Sequence, residues 1–143
     1  MRFRLSQKNI PILSTFLVFI LIYLSGTFAY KGFFSLRVFI NLFIDNAFVG
    51  IIALGMTAVI ASGGIDLSVG STVVLSAMTV AVLMSSGMPI WVGIPAALLV
   101  SVAVGLVNGA LIAYAGMPPF VVTLGMLSVA RSLAMVLSNN KMI

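Results

Sequence analysis

From Leu67 to Ala130 the chain runs 64 residues without a charged side chain. A soluble domain of ordinary composition carries about a quarter charged residues, spread so that its surface faces water. Here the whole 143-residue chain is 6% charged and 62% hydrophobic, with a mean hydropathy of +1.32. Lipid must therefore be the solvent for most of it. At about 20 residues per crossing, the uncharged run alone is long enough for three membrane helices. Its natural breaks are Ser85-Ser86-Gly87-Met88-Pro89 and Ala115-Gly116-Met117-Pro118-Pro119. Proline lacks a backbone donor and clashes with the preceding turn, so such clusters end helices.

The same reading applied to the whole chain predicts an all-α fold, a polytopic membrane helix bundle of about five transmembrane segments. These fall at 11–30, 38–62, 69–85, 90–114 and 120–137, within a single transmembrane domain over 1–143. Pro11 to Tyr30 is too long for the apolar part of a signal peptide and leads into further membrane sequence, so it is read as a retained first helix. Arg2, Arg4 and Lys8 precede it, which places the N-terminus in the cytoplasm by the positive-inside rule. The net charge is +5, but the basic residues are few and lie mostly near membrane ends, so nucleic acid is not an expected partner. The chain has no cysteine, histidine or glutamate and only two aspartates. Disulfides and thiolate metal sites are thereby excluded, and no catalytic, metal or cofactor residues are assigned.

One of the two carboxylates stands in Gly63-Gly64-Ile65-Asp66-Leu67-Ser68-Val69-Gly70, between two apolar runs. Paired glycines stop a helix, and Asp66 and Ser68 can each cap the next one by accepting from a free backbone N–H. A carboxylate in this setting is either such a cap or a residue on a solute path. The hydroxyls Ser68, Thr72, Ser76 and Thr79 share one face of the following helix. They either line an aqueous path or bond back to helix backbone. Asp66, Ser68, Thr72 and Asn108 are the candidates for lining a translocation path. Along 90–114, Gly93, Ala97, Ser101, Gly105, Gly109 and Ala113 recur every fourth residue, a small-residue ridge that predicts close helix packing. Asn108 lies beside that ridge and must find a partner inside protein. Trp91 and Tyr114 lie near the ends of this segment, as an aromatic belt would place them. Arg131 either snorkels to an interface or faces a cavity.

Three motifs in order carry a family resemblance: Leu54-Gly55-Met56-Thr57 with Ser62-Gly63-Gly64-Ile65-Asp66-Leu67-Ser68-Val69-Gly70-Ser71; Gly105-Leu106-Val107-Asn108-Gly109; and Pro118-Pro119-Phe120-Val121-Val122-Thr123-Leu124-Gly125-Met126 with Arg131. They resemble monosaccharide importer permeases of the ATP-binding-cassette (ABC) class, the ribose, xylose, galactose and galactofuranose group of the branched-chain permease superfamily. The resemblance implies a membrane-spanning subunit that moves a monosaccharide across the bacterial inner membrane and is not itself an enzyme. It implies three protein partners: a cytoplasmic ABC ATPase, a periplasmic or lipid-anchored sugar-binding protein, and a second permease copy or close relative. Hydrolysis would belong to the ATPase, and the chain indeed has no phosphate-cradling Gly-Lys-Ser or Gly-Lys-Thr. Family members are longer and carry an ATPase-coupling segment that nothing here matches, so the chain is expected to be the N-terminal half of such a permease. The alternative from another class is a small self-assembling membrane channel or holin-like pore, with Asp66 repeated around a central ring.

Overall fold

The computed structural model describes residues 9–139, so the basic tail residues Arg2, Arg4 and Lys8 lie outside the described residues. Six helices follow one another: α1 (Ile10–Ala29), α2 (Leu36–Asp45), α3 (Ala47–Ala61), α4 (Val69–Ser85), α5 (Ile90–Ala113) and α6 (Pro119–Leu137). No strand occurs among the described residues. Helix is what a hydrocarbon solvent demands, because each backbone donor and acceptor then pairs within its own segment. By length and apolarity α1, α5 and α6 can each cross a membrane, and α2 with α3 makes a fourth crossing if taken as one broken span. α4 is apolar but only 17 residues long, or about 26 Å at 1.5 Å per residue.

The stretch 38–62 is thus divided rather than continuous. The break falls at Asn46, whose side-chain Nδ2 donates to the Leu42 carbonyl at 2.8 Å. Asparagine competes for backbone partners in this way and is a poor helix interior residue. The next helix starts at once, with Gly50 N–H donating to the Asn46 carbonyl at 3.0 Å.

The chain divides into two compact units, residues 1–50 and 51–143. In the first, Tyr23 on α1 is the hub of an aromatic group. Its ring lies 5.4 Å from Phe33, 6.4 Å from Phe34 and 6.2 Å from Phe39, centroid to centroid. Edge-on and tilted ring pairs at such spacings are attractive beyond the area they bury. Gly26 leaves room for the Phe33 ring, which would stand 2.9 Å from a side-chain carbon there.

In the second unit, tertiary packing is concentrated among α4, α5 and α6. α5 runs antiparallel to α4: Asn108 meets Ser68 at one end, Ser101 meets Ser76 midway, and Gly93 meets Val80 at the other. α6 runs parallel to α4, with Thr123 bonded to Ile65 just before α4 and Ala130 and Ala134 packed with Leu75 further along. Leu75, Ala130 and Ala134 are the buried centre, flanked by Met78, Val100 and Val104. Two alanines at that centre suit a membrane bundle, where lipid tails already solvate apolar groups and close backbone approach supplies the attraction. The outward faces carry large apolar side chains such as Leu98, Leu99, Val102 and Leu106, all exposed as lipid-facing residues would be.

Candidate functional site: an aspartate-bearing joint beside two cavities

α3 ends in a glycine stop. Gly63 adopts φ +79°, a left-handed backbone angle. Its N–H donates to Ile60 and that of Gly64 to Val59, both at 3.0 Å, so two of the last carbonyls of α3 are paired. From there to Ser68 the backbone is irregular and turns into α4.

Asp66 organises this joint. Its Oδ1 accepts from Ser68 N–H at 2.8 Å and from Ser68 Oγ at 2.6 Å. The Ser68 hydroxyl is thereby committed to the carboxylate and makes no cap bond of its own to α4. Of the two residues able to cap α4, Asp66 takes a backbone N–H and Ser68 does not. Ser68 is 1% exposed and also receives Asn108 Nδ2 from α5 at 3.0 Å. On the other side Thr123 shares its single hydroxyl proton between the Ile65 carbonyl at 3.1 Å and the Pro119 carbonyl of its own helix at 2.8 Å. The joint is therefore held by α5 through Asn108 and by α6 through Thr123. Thr123 is not among the path candidates read from the sequence, although it stands in the third of the motifs that carry the family resemblance.

Two cavities flank the joint. One, of about 370 Å³, is lined by Ser62, Asp66, Asn108, Gly109 and Thr123 among others. The other, of about 300 Å³, lies between α3 and the α4–α5 pair and includes Met56, Asp66, Thr72 and Asn108. Asp66, Gly105 and Asn108 border both. Of the four path candidates, Asp66, Ser68 and Asn108 form one hydrogen-bonded chain. Thr72 lines the second cavity, but its hydroxyl donates to the Ser68 carbonyl at 2.9 Å. Thr79 likewise bonds back to Leu75, and Ser76 pairs with Ser101 at 2.7 Å. The hydroxyl face of α4 thus serves its own helix and its neighbour.

The small-residue ridge of α5 divides into two parts. Gly93 is buried, and a side-chain carbon there would stand 3.2 Å from Val80 Cγ1. Ala97 is half-buried, and Ser101 makes the pair with Ser76. Gly105, Gly109 and Ala113 are exposed, and a side-chain carbon built at either glycine meets nothing within 4 Å. Of this second part, Gly105 and Gly109 border the cavities. Trp91 and Tyr114 are highly exposed near the two ends of α5. Arg131 is exposed and lines a third cavity of about 420 Å³ between α4 and α6, with Ser71 and Ser138.

An apolar bundle with a glycine-bracketed carboxylate at a broken joint matches a known family model over residues 38–142, that of the branched-chain amino acid transport system permease component. The chain belongs to this family. It is 39% identical over 133 residues to the inner membrane ABC transporter permease protein YjfF of Escherichia coli (strain K12), covering 92% of this chain and 40% of that one. It is 36% identical over 140 residues to the fructose import permease protein FruG of Bifidobacterium longum (strain NCC 2705), covering 98% and 41% respectively. The autoinducer 2 import system permease protein LsrD of Enterobacter sp. (strain 638) is 47% identical over 94 residues, 66% of this chain and 29% of that one. The chain thus spans about two fifths of the length of the first two relatives. No solved structure matches it significantly. These relatives are transport permeases rather than enzymes.

Proposed function

We propose that this chain is the membrane-spanning permease subunit of an ATP-driven importer that carries a monosaccharide across the bacterial inner membrane, with its N-terminus in the cytoplasm. The observation that carries the reading is the family match over the stretch that contains the Asp66 joint and its two cavities. A carboxylate at an irregular segment within membrane sequence belongs where it borders a cavity, and Asp66 does. Asp66, Ser68, Thr72 and Asn108 line or shape the solute path. Energy comes from a partner ATPase. A sugar-binding protein delivers solute from the far side, and a second permease copy or relative completes the path. Transport is alternating access, in which ATP binding and hydrolysis favour inward and outward states in turn. The family match argues against the self-assembling pore that composition alone allows.

The test is uptake of a radiolabelled monosaccharide by cells carrying the complete permease, its ATPase and its binding protein. Uptake should depend on ATP and fall at least tenfold with Asp66→Ala. Uptake that is unchanged by this substitution removes Asp66 from the path. Ion conductance through the purified chain alone, without an ATPase, defeats the importer reading.

A further inference from the structure

The first compact unit holds a cavity that the transport reading leaves unused. It measures about 360 Å³ and is lined by Tyr23 of α1, Phe34 and Ser35 of the loop, and Leu36 and Phe39 of α2. The rings of Phe34 and Phe39 are turned 61° and 84° from that of Tyr23, so the three stand as walls instead of stacking. A cavity of this size holds a small organic group. α1 is 20 residues long, or about 30 Å, which matches the hydrocarbon core of a bilayer. Ala29 therefore ends it near the membrane surface. Tyr23 stands six residues before that end, or about 9 Å. The cavity straddles the level at which acyl chains give way to ester groups.

Two of the lining residues keep an unspent hydroxyl proton. Ser35 Oγ accepts Val38 N–H at 3.3 Å, and neither it nor the Tyr23 phenol donates to any atom among the described residues. Ser25 and Thr27, on the same stretch of α1, give their protons to the Ile22 and Tyr23 carbonyls. A hydroxyl in apolar surroundings needs an acceptor. No carboxylate or amide lines this cavity, so it has no strong acceptor for the hydroxyl protons of a sugar. Charge adds a second constraint. Residues 10–44 contain two cations, Lys31 and Arg37, and no carboxylate. Both cations are exposed. Arg37 lies in the first turn of α2, the wrong end for the helix dipole, so helix stability does not account for it.

We propose that this cavity seats one anionic phospholipid. Its aromatic walls take the upper acyl carbons, Tyr23 and Ser35 donate to the ester carbonyls, and Lys31 and Arg37 draw the phosphate. The two sides match in kind: the ester region of a phospholipid offers acceptors and apolar carbon, and the cavity offers donors and rings. The lipid would tie α1 to α2, whose direct packing is slight beside that among α4, α5 and α6. This goes beyond the transport reading and holds whatever solute is carried.

The experiment uses the full chain in micelles of dodecyl maltoside, a neutral detergent, with tyrosine labelled by ¹³C at Cζ. The tyrosines are Tyr23, Tyr30 and Tyr114, and Tyr23→Phe assigns the first signal by its loss. Dihexanoyl phosphatidylglycerol, its diether analogue and glycerol 3-phosphate are titrated in turn. The diether keeps both chains and the phosphate but lacks the carbonyl acceptors. Glycerol 3-phosphate keeps the anion and lacks the chains. The expected result is a saturable shift of the Tyr23 signal with the ester lipid, while the Tyr114 signal stays in place. The diether should bind about fivefold more weakly, for the loss of a hydrogen bond. Glycerol 3-phosphate should move nothing. Lys31→Gln with Arg37→Gln should weaken the ester lipid about tenfold, and both positions are exposed, so the fold is kept. Four results would overturn the proposal: no shift by the ester lipid, equal shifts at Tyr23 and Tyr114, a shift by glycerol 3-phosphate equal to that by the lipid, or affinity unchanged by both the diether and the charge removal.

Discussion

Asn108 donates its side-chain amide to Ser68 Oγ at 3.0 Å, joining the C-terminal part of α5 to the residue before α4 across 40 positions of sequence. Because Ser68 passes its own proton to Asp66, the three side chains act as one unit. A chain of bonds in a low-dielectric interior gains from each member and loses more than one bond when a member is removed.

Ser68→Ala should therefore destabilise the chain by about 1–3 kcal/mol, since it strips a partner from both Asp66 and Asn108. Asn108→Ala should cost a similar amount. The double substitution should cost less than the sum, by about 0.5–2 kcal/mol. Unfolding of the chain in a fixed detergent, measured for the wild type and the three variants, checks this. Strict additivity would show that the two side chains are not coupled.

The two parts of the α5 ridge should respond differently to added bulk. Gly93→Val forces branched carbon against Val80, already 3.2 Å from a side-chain carbon there, and should cost about 1–3 kcal/mol. Gly105→Ala adds its methyl into open space and should change stability by no more than about 0.5 kcal/mol. Equal losses in the two variants would mean that the open part of the ridge is packed after all.

Sequence periodicity exposed the ridge but could not show where it stops packing, because spacing defines a helix face and not what lies opposite. The breaks before Ile90 and Pro119 were legible because proline and glycine act locally. The break at Asn46 was not, since a single asparagine in an apolar run is a weak local signal, and it decides only when its side chain takes the Leu42 carbonyl. The alternatives left open for the α4 hydroxyls differ only in which acceptor each finds. That depends on rotamers and neighbours, as the separate fates of Thr72 and Ser76 show. Asp66 was legible as an anomaly of charge in apolar sequence. Its partners were not, because Asn108 and Thr123 reach the joint from distant parts of the chain.

Gly63→Ala tests the joint itself. A side chain at φ +79° should cost about 1–2 kcal/mol, and Gly63→Asn should cost less because asparagine tolerates that angle. Thermal unfolding of the two variants gives the order, and a harmless Gly63→Ala would mean that the turn is not held at this angle.

The cavity between α3 and the α4–α5 pair has a mechanical consequence. Residues 51–61 of α3 reach the bundle across open volume, while the Asp66 joint is tied down by α5 and α6. Swinging this rod would widen or narrow a chamber without unpicking the Leu75 core, so the pivot and the moving arm are separate parts. Spin labels at Leu54 and Leu106 should then report a broader spread of separations than labels at Val74 and Leu106. Equally narrow spreads would mean that the rod is locked.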